Sequence, residues 1–297
     1  MSTPPSPLPF HVLSAFSPVP GTGSQAALIN YPSNADPRWL DDKYLLKVAG
    51  DFNYTATVHV APTGQKGEWA IRWFTPKSEL ALCGHGTLSS SYILLKQHPE
   101  LDTIQYINLI AGKFQSVRLS ASDKEVQISL PSLPFDVIQS MGHGSPRSHH
   151  DTVKLIAALG VRQTEDVLDI SEFKYGSHKS FIILIRGNLG IEGIGSGYKG
   201  VASGQIIITQ ISPETDSDLV IKSRMFAPGI GIQEDTIFLP TRLQQDPTSL
   251  VIHATQLSER GGGMKCILGE GGETVRLIGK VREFGNGYLV DDDDDVD

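Results

Sequence analysis

The sequence predicts an α+β protein built as two similar lobes with a cleft between them. Three observations carry that expectation. Short strand-like runs dominate both halves of the chain. Only a few stretches read as helix. A polar, proline-bearing segment, Pro131 to Thr152, separates the halves. The lobes are placed at 1–130 and 131–290, followed by an acidic tail at 291–297 that reads as a solvated, disordered end.

In the first half the predicted strands are 10–16, 26–30, 56–61, 69–74, 104–109, 114–119 and 126–130. They are rich in Val, Ile, Thr and aromatics and are broken by Gly, Pro, Asn and Asp. Helices are expected over 36–49 and from Gly86 through Leu95. In the second half, 153–159 reads as a helix ending at Gly160, a C-cap signal. Strands follow at 181–186, 205–211, 219–225, 264–268, 275–280 and 287–290. The halves show no strong sequence repeat.

Composition narrows the function classes. The formal net charge is −8, of which six charges belong to Asp291–Asp295 and Asp297, leaving a nearly neutral body. No basic stripe offers itself to a phosphate backbone, so nucleic-acid binding is not expected. No apolar stretch approaches the ~20 residues that span a bilayer, so no membrane partner is expected either. Cys83 and Cys266 are too few for a disulfide framework. The N-terminus has no basic region followed by an apolar run. Together these point to the cytoplasm.

The glycine patterns do not support a nucleotide site. Gly21 to Ala26 fits GxGxxA and Gly195 to Gly200 fits GxGxxG, but each is followed by a strand-like run where a dinucleotide site needs a helix. The nine histidines show no metal-ligand spacing. Neither a metal nor an organic cofactor is expected.

The segment richest in chemistry runs from Trp73 to Leu88. A strand ends at Pro76, and Cys83-Gly84-His85-Gly86-Thr87 opens a helix. Amides at such a start form an anion site suited to a carboxylate. His85, at the mouth of the cleft, would donate a proton or orient a substrate. A second candidate is Arg224 to Asp235, where a strand enters a glycine-rich loop carrying Glu234 and Asp235. From residue types alone these two are turn acids, a helix cap or site acids.

Four ordered segments resemble the phenazine-biosynthesis-like (PhzF-like) isomerase family. Ala15 to Ala27 is similar to that family's Ala-Phe-Thr-x-x-Pro-Phe-x-Gly-Asn opening followed by Ala-Ala. Phe74 to Thr87 looks like its Phe-Thr-Pro…Glu…Cys-Gly-His-Ala-Thr signature. Arg224 to Asp235 is similar to Arg-x-Phe-Ala-Pro…Gly-Ile…Glu-Asp, and Gln256 to Gly262 to Gln-x-Ser-x-Arg-Gly-Gly. The resemblance implies a diaminopimelate-epimerase-type fold, with each lobe a mixed or antiparallel sheet wrapped around a central helix and both helices starting at the cleft. It implies a proton shift on a small metabolite and is compatible with a homodimer.

By the same resemblance His85 and Asp235 are the catalytic candidates. Ser24, Cys83, Gly84, Gly86, Thr87 and Ala56 are the substrate-binding candidates. Three departures stand out. Ala56 occupies the place of the family's acid/base glutamate, and Ser24 that of the opening asparagine. After Glu234-Asp235 the chain reads Thr236-Ile237-Phe238-Leu239-Pro240 instead of the glycine-bearing start of a second helix. The reading is therefore an altered isomerase. The alternative is a binding or scaffold protein that has lost the acid/base glutamate.

Overall fold

The computed structural model describes residues 6–120, 125–131, 135–140, 150–161, 163–175, 177–187, 189–195, 198–200, 204–212, 219–235, 251–269 and 273–290. The first half carries strands β1 (Leu8–Ala15), β2 (Ser24–Asn30), β3 (Ala56–Pro62), β4 (Glu68–Phe74), β5 (Glu79–Leu80), β6 (Thr103–Asn108), β7 (Gly112–Ser120) and β8 (Glu125–Pro131). Helices α1 (Pro37–Leu40) and α2 (Asp42–Phe52) lie between β2 and β3, and α3 (Gly84–Gln97) lies between β5 and β6. The second half carries β9 (Phe135–Ser140), α4 (His150–Ala158), β10 (Val167–Tyr175), β11 (His178–Ile185), β12 (Ile206–Ser212) and β13 (Leu219–Ala227). It ends with β14 (Ile232–Asp235), β15 (Val251–Gln256), β16 (Gly262–Leu268) and the long β17 (Thr274–Leu289).

Eight strands close into a barrel in the order β1-β2-β3-β4-β6-β7-β8-β17, with β17 returning to β1. Helix α3 runs inside it and touches β1, β2, β3, β6, β7, β8 and β17. A helix enclosed on all sides cannot show one polar face. Its interior positions are accordingly apolar or small: Leu88, Ile93, Leu94 and Leu95 stand on either side of the block Ser89, Ser90 and Ser91, all buried. The serine hydroxyls turn back onto the helix, Ser90 Oγ donating to the Gly86 carbonyl at 3.0 Å and Ser91 Oγ to that of Thr87 at 2.6 Å. Outside the barrel, α1 and α2 cover Ile29, Tyr31, Ala61 and Phe74 through Trp39, Leu45 and Val48. Asp41 caps α2 by accepting from the amides of Lys43 and Tyr44.

The two halves repeat one strand order. In the first, β1 pairs antiparallel with β2, β2 parallel with β3, β3 antiparallel with β4, β4 parallel with β6, and β6, β7 and β8 follow antiparallel. In the second, β10, β11, β12, β13, β15, β16 and β17 repeat these steps with the same sense at each. Short β5 lies on β4 as short β14 lies on β13.

The repeat exposes a sequence echo too short to stand out in the chain. Arg72-Trp73-Phe74-Thr75-Pro76 matches Arg224-Met225-Phe226-Ala227-Pro228. Each arginine grips a glutamate on the following short strand with two bonds: Arg72 to Glu79 at 2.8 and 2.7 Å, Arg224 to Glu234 at 2.7 and 2.9 Å. Each guanidinium also lies over the phenylalanine two residues on, at 5.1 and 4.9 Å from the ring centre.

In the first half the connection that holds the central helix, Ala81 to Asp102, has 22 residues. Its counterpart between Asp235 and Val251 has 15. That counterpart, where a second central helix was expected, lies outside the described residues, as does the acidic tail.

Several sequence expectations are corrected. The segment read as a linker contains β9, which pairs with β10; the prolines at 131 and 134 just before it masked a six-residue strand. Strands β5, β10, β14 and β15 were not foreseen. The runs 275–280 and 287–290 are one strand, because Gly285 and Gly287 do not break it. A Cβ at Gly285 would stand 2.7 Å from Val12, and one at Gly287 2.9 Å from the Phe10 ring, so these glycines make room for neighbours across the sheet. Residues 281–289, placed from sequence with the second lobe, pair with β1 and close the first barrel.

Candidate active site

The candidate site forms where α3 begins. Cys83 is extended, with φ −142° and ψ 108°, and caps the helix: its Sγ accepts the Gly86 amide at 3.4 Å. The Thr87 hydroxyl donates to the Cys83 carbonyl at 2.6 Å, and the Thr87 amide bonds the same oxygen. With the Gly86 and Thr87 amides engaged, the anion cradle expected at this helix start is narrowed. Gly86 itself is dictated by packing. A Cβ there would stand 2.8 Å from Val58 Cγ2, 3.0 Å from Trp73 Cδ1 and 3.1 Å from Cys83 Sγ.

His85, read from sequence as sitting at an open mouth, is 2% exposed. Its surroundings are polar on two sides: Nδ1 is 3.5 Å from Cys83 Sγ, and Nε2 is 3.3 Å from Thr55 Oγ1. Thr55 in turn donates to the Gln25 carbonyl at 3.1 Å and stands 3.4 Å from the hydroxyl of Ser24. A hydroxyl has one proton to give. With that proton on the Gln25 carbonyl, Thr55 offers His85 an acceptor, which favours the tautomer with the ring hydrogen on Nε2. Nδ1 is then the acceptor for the Cys83 thiol. The run Ser24–Thr55–His85–Cys83 links β2, the start of β3 and the start of α3.

Ala56 follows Thr55, is fully buried and sits opposite Ala26 in the β2–β3 register. Thr55 itself was missed from sequence, although it adjoins Ala56 in the segment that carries the departure. Arg260 was missed as well. Its Nε donates to the Gly23 carbonyl at 2.8 Å and its Nη2 to that of Thr22 at 3.2 Å, while the Gly23 amide donates to the Gly261 carbonyl at 3.1 Å. The C-terminal Arg-Gly-Gly motif thus fastens the turn that delivers Ser24.

Asp235 ends β14 with its main chain opposite Met225; its side chain lies outside the described residues. The strand that presents it is anchored by Arg224, which holds Glu234 and also donates to the carbonyls of Glu192 and Ile194 at 2.6 and 2.8 Å. The turn before β14 reaches the first half: a Cβ on Gly231 would stand 3.2 Å from the Lys77 side chain, in the turn that leads to α3. Cys266 is buried in β16, and burial pushes its thiol well above its usual range. Among the described residues no group of three or more His, Cys, Asp or Glu is placed to hold a metal ion. No helix among them is long and apolar enough to cross a membrane.

Residues 13–238 match the model of the phenazine biosynthesis-like protein family. The chain belongs to that family. An uncharacterized isomerase of Pseudomonas aeruginosa is 28% identical over 283 residues, covering 92% of this chain and 94% of its own. A solved phenazine biosynthesis protein of the PhzF family from Enterococcus faecalis superposes with a TM-score of 0.69 at 21% identity, covering 96% of this chain and 99% of its own. A hydroxyproline epimerase from Agrobacterium vitis shares the fold more distantly, with a TM-score of 0.55 at 10% identity. The phenazine-biosynthesis-like assignment accounts for the strand-rich architecture and the barrel around α3.

Proposed function

We propose that this phenazine-biosynthesis-like protein is an isomerase that moves a proton on a small metabolite without metal or organic cofactor. The observation that carries the reading is the hydrogen-bonded run Ser24–Thr55–His85–Cys83 at the start of the central helix. His85 and Asp235 act as the acid/base pair, and Ser24, Cys83, Gly84, Gly86, Thr87 and Ala56 line the substrate site. Ala56 has no proton to carry, so transfer passes through the imidazole. Thr55 orients the imidazole, and the Cys83 thiol, 3.5 Å from Nδ1, is the neighbouring proton donor. Supporting experiments are metabolite retention on the purified protein and turnover of the retained compound by wild type, His85→Asn and Asp235→Asn. Loss of turnover with stability kept supports the assignment; full turnover by both variants refutes it.

A second reading is favoured by one observation. Both Ala56 and His85 are buried, the first as a bare methyl where the family has a carboxylate. On that reading the chain binds a metabolite or partner and does not turn it over. The discriminating result is a retained compound that is recovered unchanged after long incubation.

A further inference from the structure

We propose that the groove between the Ser17–Thr22 turn and the outward face of β15, β16 and β17 binds a small carboxylate with an apolar body, at a place separate from the His85 cluster. The groove is open to solvent and offers about 580 Å³, within the range usual for small-molecule sites. None of Ser24, Thr55, Ala56, Cys83 and His85 lines it.

The strand register sets its chemistry. Lys265 of β16 is opposite Ile278 of β17, and Lys280 lies two residues further along β17 on the same face. Residues so related are diagonal neighbours, roughly 7–8 Å apart. Both lysines are exposed, and neither forms an ion pair among the described residues. Lys280 faces Glu125 in the β8–β17 register without a salt bridge to it. Two like charges at this spacing repel one another, and an anion seated between them relieves that repulsion.

The rest of the lining is mixed: Glu125, His253 and Arg260 stand beside the apolar Pro18, Val19 and Ile278, and the apolar side offers room for an apolar body. Val19 is 55% exposed on one wall and Ile278 lies half-buried at the base. The wall is fixed rather than loose. Arg260 holds the carbonyls of Thr22 and Gly23, and the Gly263 amide bonds the carbonyl of Phe16 at 2.9 Å. Phe16 itself has φ +65°, a conformation that a bulky side chain adopts only where its surroundings enforce it.

The test is a titration of the full-length protein, followed by amide chemical shifts, with three probes. Benzoate carries both features, benzamide lacks the charge, and inorganic phosphate lacks the apolar body. The expected result is saturable benzoate binding centred on residues 17–22, 263–265 and 278–280, with benzamide and phosphate each clearly weaker. Lys265→Ala and Lys280→Ala should each weaken benzoate by about fivefold, the weight of one exposed charge contact. His85→Asn should leave benzoate binding as in the wild type. No saturable binding, equal binding of benzamide, or indifference to both lysine substitutions would overturn the proposal. So would loss of binding in His85→Asn, because the groove would then be part of the His85 site.

Discussion

Thr55 Oγ1 stands 3.3 Å from His85 Nε2 and gives its own proton to the Gln25 carbonyl. That hydroxyl offers the buried imidazole an acceptor at Nε2, which favours the tautomer with its hydrogen there. The residue after it, Ala56, is the one that departs from the family's acid/base position. The site thus sets an orienting hydroxyl next to a methyl at the position where the resemblance to the family implies a carboxylate.

Replacing Thr55 by Val removes the acceptor and keeps the shape. A buried donor left without its partner costs about 1–3 kcal/mol, so chemical denaturation should show a loss of that size. Thr55→Ser should restore most of it. Nitrogen-15 NMR of the ring should find Nε2 protonated in the wild type and a mixed tautomer in Thr55→Val. A wild-type ring protonated at Nδ1 would contradict the hydrogen-bond assignment.

Gly86 stands where the family signature carries alanine. With Val58 Cγ2 and Trp73 Cδ1 at 2.8 and 3.0 Å from the place of a Cβ, Gly86→Ala overpacks the barrel. The expected loss is about 1–3 kcal/mol. Val58→Ala introduced together with it should recover part of the loss, because the closest clash is with a Val58 methyl. Strictly additive losses in the double variant would show that the strain lies elsewhere.

His59 sets a pH dependence. It is fully buried, its Nδ1 lies 2.9 Å from the Tyr31 hydroxyl, and burial, helped by the nearby Arg72 charge, lowers its pKa from 6.5 to about 3. The sign follows directly. Below about pH 6.5 the unfolded chain takes up a proton that the folded chain refuses until about pH 3, so stability falls across that window, by up to ~1.4 kcal/mol per pH unit. Above the window the contribution is complete and flat. Urea denaturation between pH 7 and pH 4 should show this slope in the wild type, and a shallower one in His59→Gln. Equal slopes in the two proteins would contradict the assignment.

Much of the barrel was legible because β1 to β4 and β6 to β8 are short runs rich in β-branched and aromatic residues with plain turn signals, and α3 follows a proline turn and a glycine-rich start. The repeat between halves was not legible. It resides in strand pairing and in an Arg-x-Phe-x-Pro echo whose meaning depends on Glu79 and Glu234 folding back onto Arg72 and Arg224. β9 was hidden by the prolines that precede it in the sequence, and the continuity of β17 by glycines that make room for β1. Of the candidate residues, His85, Cys83 and Ser24 were named from motifs, and the structure brings them together through Thr55. Thr55 and Arg260 were missed because their roles are to orient and to fasten, and such contacts are fixed only when β2, β3 and the C-terminal turn meet.

The most direct test of the central claim is a proton-exchange measurement. Wild type and His85→Asn, matched for folded fraction, are incubated with a small-metabolite extract in heavy water, and the extract is followed by mass spectrometry. The account predicts that wild type raises the mass of at least one metabolite by deuterium uptake and that His85→Asn does not. No uptake with the wild type, or equal uptake with the variant, would contradict it.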